Sequence, residues 1–180
     1  MRIVSGEFGG RLIAAPKGLN TRPTADKVRE ALFSILGRRV ADVHVLDLFA
    51  GSGAMGLEAL SRGGSDVVFV DADRNAVKTI RENIASLKVE KACTVMAMDW
   101  RQAIRRLQGR QFGLILLDPP YQAGLYENAV NEAMNLLSIG GVLVIECDKM
   151  YPPAIDERYI SDKRIYGRTM LLFIEKEGET

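Results

Sequence analysis

Two short stretches carry the residues able to do chemistry. In "DLFAGSGAMG", Asp47 stands four positions ahead of Gly51-Ser52-Gly53-Ala54-Met55-Gly56, and Asp71 lies twenty positions beyond the first glycine. The spelling G-x-G-x-x-G followed by an acid at this distance is that of a dinucleotide fingerprint. Asp47 points elsewhere. A carboxylate facing the mouth of the loop repels a pyrophosphate but accepts hydrogen bonds from an ammonium group, and the glycines then serve close approach of backbone to ligand. The second stretch, "LILLDPPY", places Asp118, Pro119, Pro120 and Tyr121 at the end of an apolar run. Consecutive prolines lack N–H groups and cannot continue a helix, so they stiffen a turn that exposes a carbonyl. A side-chain acceptor at Asp118 and the Pro119 carbonyl would hold an exocyclic NH₂, with Tyr121 stacked on its base.

Two further acids complete the set. Asp71 ends "VFVDAD", where a carboxylate takes both ribose hydroxyls; this serves any adenosine cofactor. Asp73 reads as a helix cap. Asp99 and Trp100 end "MAMDW", where the carboxylate accepts from an adenine amine and the next residue borders the base. A series of carboxylates at Asp47, Asp71 and Asp99 suits an adenosine-bearing, positively charged ligand, S-adenosylmethionine, better than a nicotinamide dinucleotide.

The elements that must position these residues follow from periodicity. From residue 43 onward, short apolar runs ("VHVLDLF", "VVFV", "TVMAM", "LILL", "VLVIEC") alternate with amphipathic stretches ("GLEALSR", "NAVKTIRENIASL", "WRQAIRRL", "ENAVNEAMNLL"). That alternation predicts an α/β fold, a three-layer Rossmann-like sandwich around a mostly parallel sheet. "RYISDKRIYG" and "TMLLFIEKE" read as a closing antiparallel pair, for seven strands with the last antiparallel. Ligands bind such sheets at the carboxyl ends of the strands, near the reversal of strand order. Ahead of this lie a helix through "TADKVREALFSILG", with Thr24 as N-cap and Gly37 as stop, and a predicted N-terminal β-hairpin over 1–20, turning at Gly9-Gly10. The expected organisation is one domain over 1–180 with that hairpin as an appendage; a chain of this size hides roughly 70% of its surface on folding.

Composition excludes several classes. At 47% hydrophobic and 26% charged, the chain is neither disordered nor fibrous. Its apolar runs are too short for a membrane span, and "MRIVSGEFGG" lacks a signal peptide's apolar core. Cys93 and Cys147 lack metal-ligand spacing and read as reduced thiols of a cytoplasmic protein, and His44 is the single histidine, so no metal site is expected. The net charge of +1 conceals an asymmetry: residues 1–40 hold eight basic and three acidic residues. Arg2, Arg11, Lys17, Arg22, Lys27 and Arg29 form a candidate nucleic-acid surface there. The competing reading is a basic surface that only maintains solubility.

"DLFAGSG" together with "DPPY" resembles the class I, S-adenosylmethionine-dependent amino-methyltransferases. "TRPTADKVREALFSIL", "DLFAGSGAMGLEALSRG" and the closing "YGRTMLLFIEK" narrow this: the whole chain is similar to the RsmD family. The resemblance implies transfer of methyl from S-adenosylmethionine to the exocyclic N2 of one specific guanine of bacterial 16S ribosomal RNA, a modification of the small subunit that leaves S-adenosylhomocysteine and uses no metal. It places cofactor contacts on Asp47, Phe49, Gly51, Ser52, Gly53, Asp71, Ala72, Asp99, Trp100 and Thr24, and catalysis on Asp118, Pro119, Pro120 and Tyr121. Arg22, Thr24 and Arg29 fall on the segment flanking cofactor and target. Near-neutral overall charge favours 16S rRNA within an assembling small subunit as the partner, approached by a monomer. The rivals are a DNA adenine-N6 or cytosine-N4 methyltransferase, a non-catalytic RNA-binding assembly factor and, third, a nicotinamide oxidoreductase.

Overall fold

The fold follows from five apolar strands, of which the first, the second, the fourth and the second half of the fifth bury both faces while the third is a half-exposed edge. In a computed structural model, which describes residues 1–15, 23–120 and 125–178 (the side chains of 23–25 excepted), β1 (His44–Leu48), β2 (Asp66–Asp71), β3 (Cys93–Ala97), β4 (Phe112–Leu117) and β5 (Leu137–Asp148) run parallel. β6 (Asp162–Tyr166) and β7 (Thr169–Glu175) complete the sheet in the order β3-β2-β1-β4-β5-β7-β6. β7 is antiparallel to both neighbours, so the expected closing pair is present, with the last strand slotted between β5 and β6. Strand order reverses between β1 and β4, which puts the ligand crevice at the ends of "VLDLF" and "LILLDPP".

Strand alternation splits the core into two layers. Val45, Val67, Phe69, Leu114, Leu116, Val142 and Val144 face one side, where α1 (Pro23–Leu36), α2 (Ala54–Ser61) and α3 (Arg74–Leu87) cover them. Leu46, Val68, Ile115, Leu143 and Ile145 face the other, under α4 (Trp100–Arg106) and α5 (Leu125–Met134). Gly37 stops α1 as expected, with φ of +52°, and a 3-10 turn over Gly37–Val40 follows.

The N-terminus makes the predicted antiparallel reversal but not a regular two-stranded ladder. A single antiparallel bridge, Arg2 to Leu12, stands where two paired strands were expected, and Ile3 and Ile13 are buried in the core beside α1 and α2. The reason lies in α2. Fully buried Glu58 accepts the N–H groups of Val4 (2.7 Å) and Ser5 (3.1 Å), and the Ser61 hydroxyl donates to the Ser5 carbonyl (2.6 Å). A Cβ at Gly6 would lie 1.9 Å from the Ser61 carbonyl oxygen, so only glycine lets the segment come this close. The two arms still pair through Ile3 N–H to the Arg11 carbonyl (2.9 Å), Gly10 N–H to the Ile3 carbonyl (2.8 Å) and Ile13 N–H to the Met1 carbonyl (3.0 Å), while the Val4 and Ser5 amides are satisfied by the helix instead.

Candidate active site

The glycine-rich turn between β1 and α2 is built by glycines with distinct duties. Gly51 (φ +56°) and Gly53 (φ +77°) adopt left-handed backbone, and Gly53 is the N-cap of α2. Gly56 supplies room: a Cβ there would meet the Phe69 ring at 2.4 Å and Asp47 Oδ2 at 3.0 Å. The amides of the motif's three glycines are already committed. Gly51 N–H donates to Asp71 Oδ2 (2.8 Å), Gly53 N–H to the Ala50 carbonyl (2.7 Å), and Gly56 N–H to Asp47 Oδ2 (2.8 Å). Asn83 of α3 fastens the turn from behind, donating to the Ser52 carbonyl (2.9 Å).

Acids occupy the carboxyl end of every parallel strand. Asp47 is only 4% exposed; burial foremost, and the charge of Asp71, push its pKa up to about 7 against the opposing bond from Gly56. Asp71 also accepts Asp73 N–H through Oδ1 (2.9 Å), and each oxygen keeps a second acceptor direction for a ligand hydroxyl. Asp73 caps α3, accepting from Asn75 and Ala76, as expected. Asp99 caps α4 through Arg101 N–H (2.9 Å). The Trp100 ring lies 6.1 Å from that of Phe49, with the Arg101 guanidinium 4.4 Å above it.

Asp118 follows β4 directly. Register pairs Leu117 with Ile145, so the next residues, Asp118 and Glu146, are neighbours, and both continue the sheet face of Asp47. Asp118 is open to cleft water, which tempers its desolvation, yet enclosure by the strand ends and the charges of Glu146 and Asp47 raise its pKa. Glu146 is raised by burial and opposed by the Arg29 guanidinium. The Pro119 carbonyl accepts the buried Tyr126 hydroxyl (3.2 Å), and burial and then the charge of Asp118 push the Tyr126 pKa upward.

A cleft of about 700 Å³ unites Phe49, Gly51, Asp71, Ala72, Asp99, Trp100, Asp118, Pro119 and Pro120 with Leu125 and Asn128 of α5. Three expected contacts, Asp47, Ser52 and Gly53, stand behind this wall. Tyr121, Lys17, Arg22 and the side chain of Thr24 lie outside the described residues.

Among the basic candidates, Arg2 and Lys27 are exposed. Arg11 is spent on the α3 carboxyl end, donating to the Ser86 carbonyl (2.6 Å). Arg29 is a correction: expected to meet RNA, it is 3% exposed, donates to the Arg2 carbonyl (2.7 Å) and Asp26 (2.9 Å), and lies 3.6 Å from buried Glu58. A cation beside a closed-in carboxylate serves that charge before any phosphate. Tyr126 and Glu146 escaped the sequence reading. Glu146 was accessible to the same strand-end rule that found the aspartates; Tyr126, in the first turn of α5, gave no local signal. Among the described residues, no acid, cysteine or histidine cluster could hold a metal ion, and no helix is long and apolar enough to cross a membrane.

Comparison with known proteins agrees with this geometry. Residues 1–175 match the family described as conserved hypothetical protein 95. YlbH of Bacillus subtilis (strain 168) is 35% identical over 184 residues, covering 99% of this chain and 100% of that protein. Ribosomal RNA small subunit methyltransferase D of Escherichia coli (strain K12) is 37% identical over 146 residues, 81% of this chain and 71% of that one. Among solved structures, the Thermus thermophilus 16S rRNA N2 G1207 methyltransferase RsmC, in complex with AdoMet and guanosine, superposes with a TM-score of 0.72 at 25% identity, over 89% of this chain and 45% of that chain.

Proposed function

The chain belongs to the conserved hypothetical protein 95 family and is an RsmD-type methyltransferase, and from that membership we propose that it transfers a methyl group from S-adenosylmethionine to the exocyclic N2 of a guanine in 16S ribosomal RNA. The observation that carries the cofactor choice is the commitment of the glycine-turn amides. With Gly51 and Gly56 N–H groups given to Asp71 and Asp47, the turn presents carboxylates where a dinucleotide site presents donors. Such a turn attracts cations and repels a pyrophosphate. The name of the Escherichia coli relative supports ribosomal RNA as substrate, and the guanosine bound to RsmC supports the guanine amine.

The donor set fits this cofactor. Asp71, with two acceptor directions left, takes the ribose hydroxyls; Asp99 and Trp100 border the adenine; Asp47 offsets the ligand's positive charge from behind the turn. When bound, S-adenosylmethionine supplies an electrophilic methyl on its sulfonium, which the acceptor nitrogen takes by in-line displacement. The protein's own residues supply orientation and desolvation. Asp118 and the Pro119 carbonyl accept hydrogen bonds from the acceptor NH₂ and favour the pyramidal nitrogen of the transition state over the planar ground state. Tyr126 holds that carbonyl in place. The target base must leave its stack to reach this turn, and Tyr121 is positioned in sequence to receive it.

The test is methyl transfer from labelled cofactor to small subunits, deproteinised 16S RNA and genomic DNA, all from cells lacking the enzyme, with products digested to nucleosides and identified by mass. N2-methylguanosine from either ribosomal sample is expected. Methylated adenine or cytosine from DNA would replace the substrate assignment. Asp118→Ala is expected to lose most turnover while keeping cofactor affinity; unchanged turnover would remove Asp118 from the mechanism.

A further inference from the structure

Given the proposed function, the exposed N-terminal cations Arg2 and Lys27 leave room for a second RNA-facing surface. Arg29 is buried and Arg11 is tied to α3. The chain holds a second cationic tract of equal strength: residues 73–110 carry nine basic and four acidic side chains, a net +5, whereas residues 111–180 carry six basic and eleven acidic, a net −5. Folding gathers the basic tract at one place. β3 is an edge of the sheet, with α3 on one face and α4 on the other.

On α3, Arg74, Lys78 and Arg81 recur at intervals of four and three, which aligns them along one side of the helix. On α4, Arg101 and Arg105 do the same, with Arg106 beside them. All six are exposed, and among the described residues only Lys78 of the six is in an ion pair, with Glu82 at 3.8 Å, both solvated and so held weakly. A groove of about 560 Å³ runs between α3 and Ala97 at the end of β3, lined by Arg74, Lys78 and Arg81, with Glu82 as its single acid and small Ala85 beside them. Ala72 lines both this groove and the 700 Å³ cleft, so one opens beside the other. Three strand spacings, about 14 Å, separate β3 from β4 and the Asp118 turn, a distance a few nucleotides of single-stranded RNA cover.

We propose that this β3 edge, with Arg74, Lys78 and Arg81 on one side and Arg101, Arg105 and Arg106 on the other, carries the RNA phosphate backbone leading to the target base. The opposite, β6 end of the sheet, where Arg158, Arg164 and Arg168 are each paired with an aspartate, stays clear of it. The proposal rests on the RNA methyltransferase reading for its choice of polyanion. Phosphates neutralised by cations release counterions, so binding through this edge has a measurable salt signature.

The test compares Arg74→Glu/Lys78→Glu/Arg81→Glu with Arg158→Glu/Lys163→Glu/Arg164→Glu at the β6 end. Affinity for deproteinised 16S RNA from cells lacking the enzyme is measured across a salt series, beside cofactor affinity and melting temperature. The α3 triple variant is expected to lose about two from the slope of log K against log salt, at about 0.7 to 0.9 per phosphate contact, and to raise KM for RNA about tenfold or more. Cofactor affinity should stay at the wild-type value, and melting temperature should fall by no more than about 2 to 4 °C, since Lys78→Glu gives up a weak pair with Glu82 and sets like charges four residues apart at a cost of about 0.5 kcal/mol per pair. An unchanged salt slope, or an equal loss in the β6-end variant, overturns the assignment. If the wild type binds RNA through this edge yet methylates none, the surface stands and the methyl-transfer reading falls; normal transfer with an indifferent α3 variant leaves that reading intact and refutes the surface.

Discussion

Asp47→Asn tests whether a buried, unneutralised carboxylate is held at the turn for a cationic ligand. The folded protein keeps a proton on Asp47 up to about pH 7, whereas the unfolded chain releases it near the ordinary 3.8. Between these values the folded state binds more protons, so stability is complete below pH 4 and declines as pH climbs through 7. A difference of about three pKa values at 1.36 kcal/mol each gives about 4 kcal/mol lost from this one group. For a chain of this length that is roughly 8 to 16 °C in Tm. Asparagine is isosteric, its amide oxygen can still accept Gly56 N–H, and it has no proton to lose. Thermal melts of wild type and variant from pH 4.5 to 8.5, without cofactor, should therefore differ least at the acid end, diverge up to about pH 7 and run parallel above it, with the variant the more stable. Taking the difference between the two proteins removes the contribution of Glu146, while that of Asp118, which the Asp47 charge also raises, shrinks in the variant and adds to the difference in the same direction. Cofactor binding should reverse the order: S-adenosylmethionine affinity is expected to rise with pH in the wild type and to be about tenfold or more weaker and nearly pH-independent in the variant. A constant stability difference across this range would refute the buried-charge argument; equal cofactor affinity at pH 8 would refute the pairing of Asp47 with the ligand's positive charge.

Tyr126→Phe removes one hydrogen bond of about 1 kcal/mol from the Pro119 carbonyl, so kcat should fall several-fold with cofactor affinity unchanged in equilibrium titration. Arg29→Met leaves Glu58 fully buried with Arg62 as its remaining cation (2.7 Å) and frees the Arg2 carbonyl. The expected cost is about 3 kcal/mol, seen as a Tm lower by roughly 6 to 12 °C, with early proteolysis within the first fifteen residues.

The parallel sheet was legible because strands buried on both faces announce themselves as unbroken apolar runs, and the helices between them keep their period. Asp47, Asp71, Asp99 and Asp118 were legible for the same reason: once the runs are placed, their ends are placed. What failed were inferences that needed a partner distant in sequence. Gly9-Gly10 signals a turn, but nothing local tells that Val4 and Ser5 will find their acceptor in Glu58, more than fifty residues on. Arg29 reads as one more surface cation until the fold closes a carboxylate against it. Tyr126 reaches Pro119 only because the DPPY turn and α5 are brought together around it.

The glycine motif shows how one spelling has two physical outcomes. In a dinucleotide site the amides of the turn point at the ligand and an anion completes them. Here Asp47 sits four residues ahead on the strand and Asp71 ends the next one, and each takes an amide before any ligand arrives. The amides are then satisfied, Asp47 adds a buried negative charge as pH rises past about 7, and the electrostatic demand of the turn changes sign from anion-seeking to cation-seeking. The deciding residue is thus the acid within the strand rather than any glycine in the motif. Asp47→Asn would neutralise the turn without breaking it, and comparison of NADH with S-adenosylmethionine binding to that variant tests the sign directly: S-adenosylmethionine should weaken and NADH should bind no worse. Weaker binding of both ligands would show that Asp47 shapes the turn sterically, with its charge playing no part.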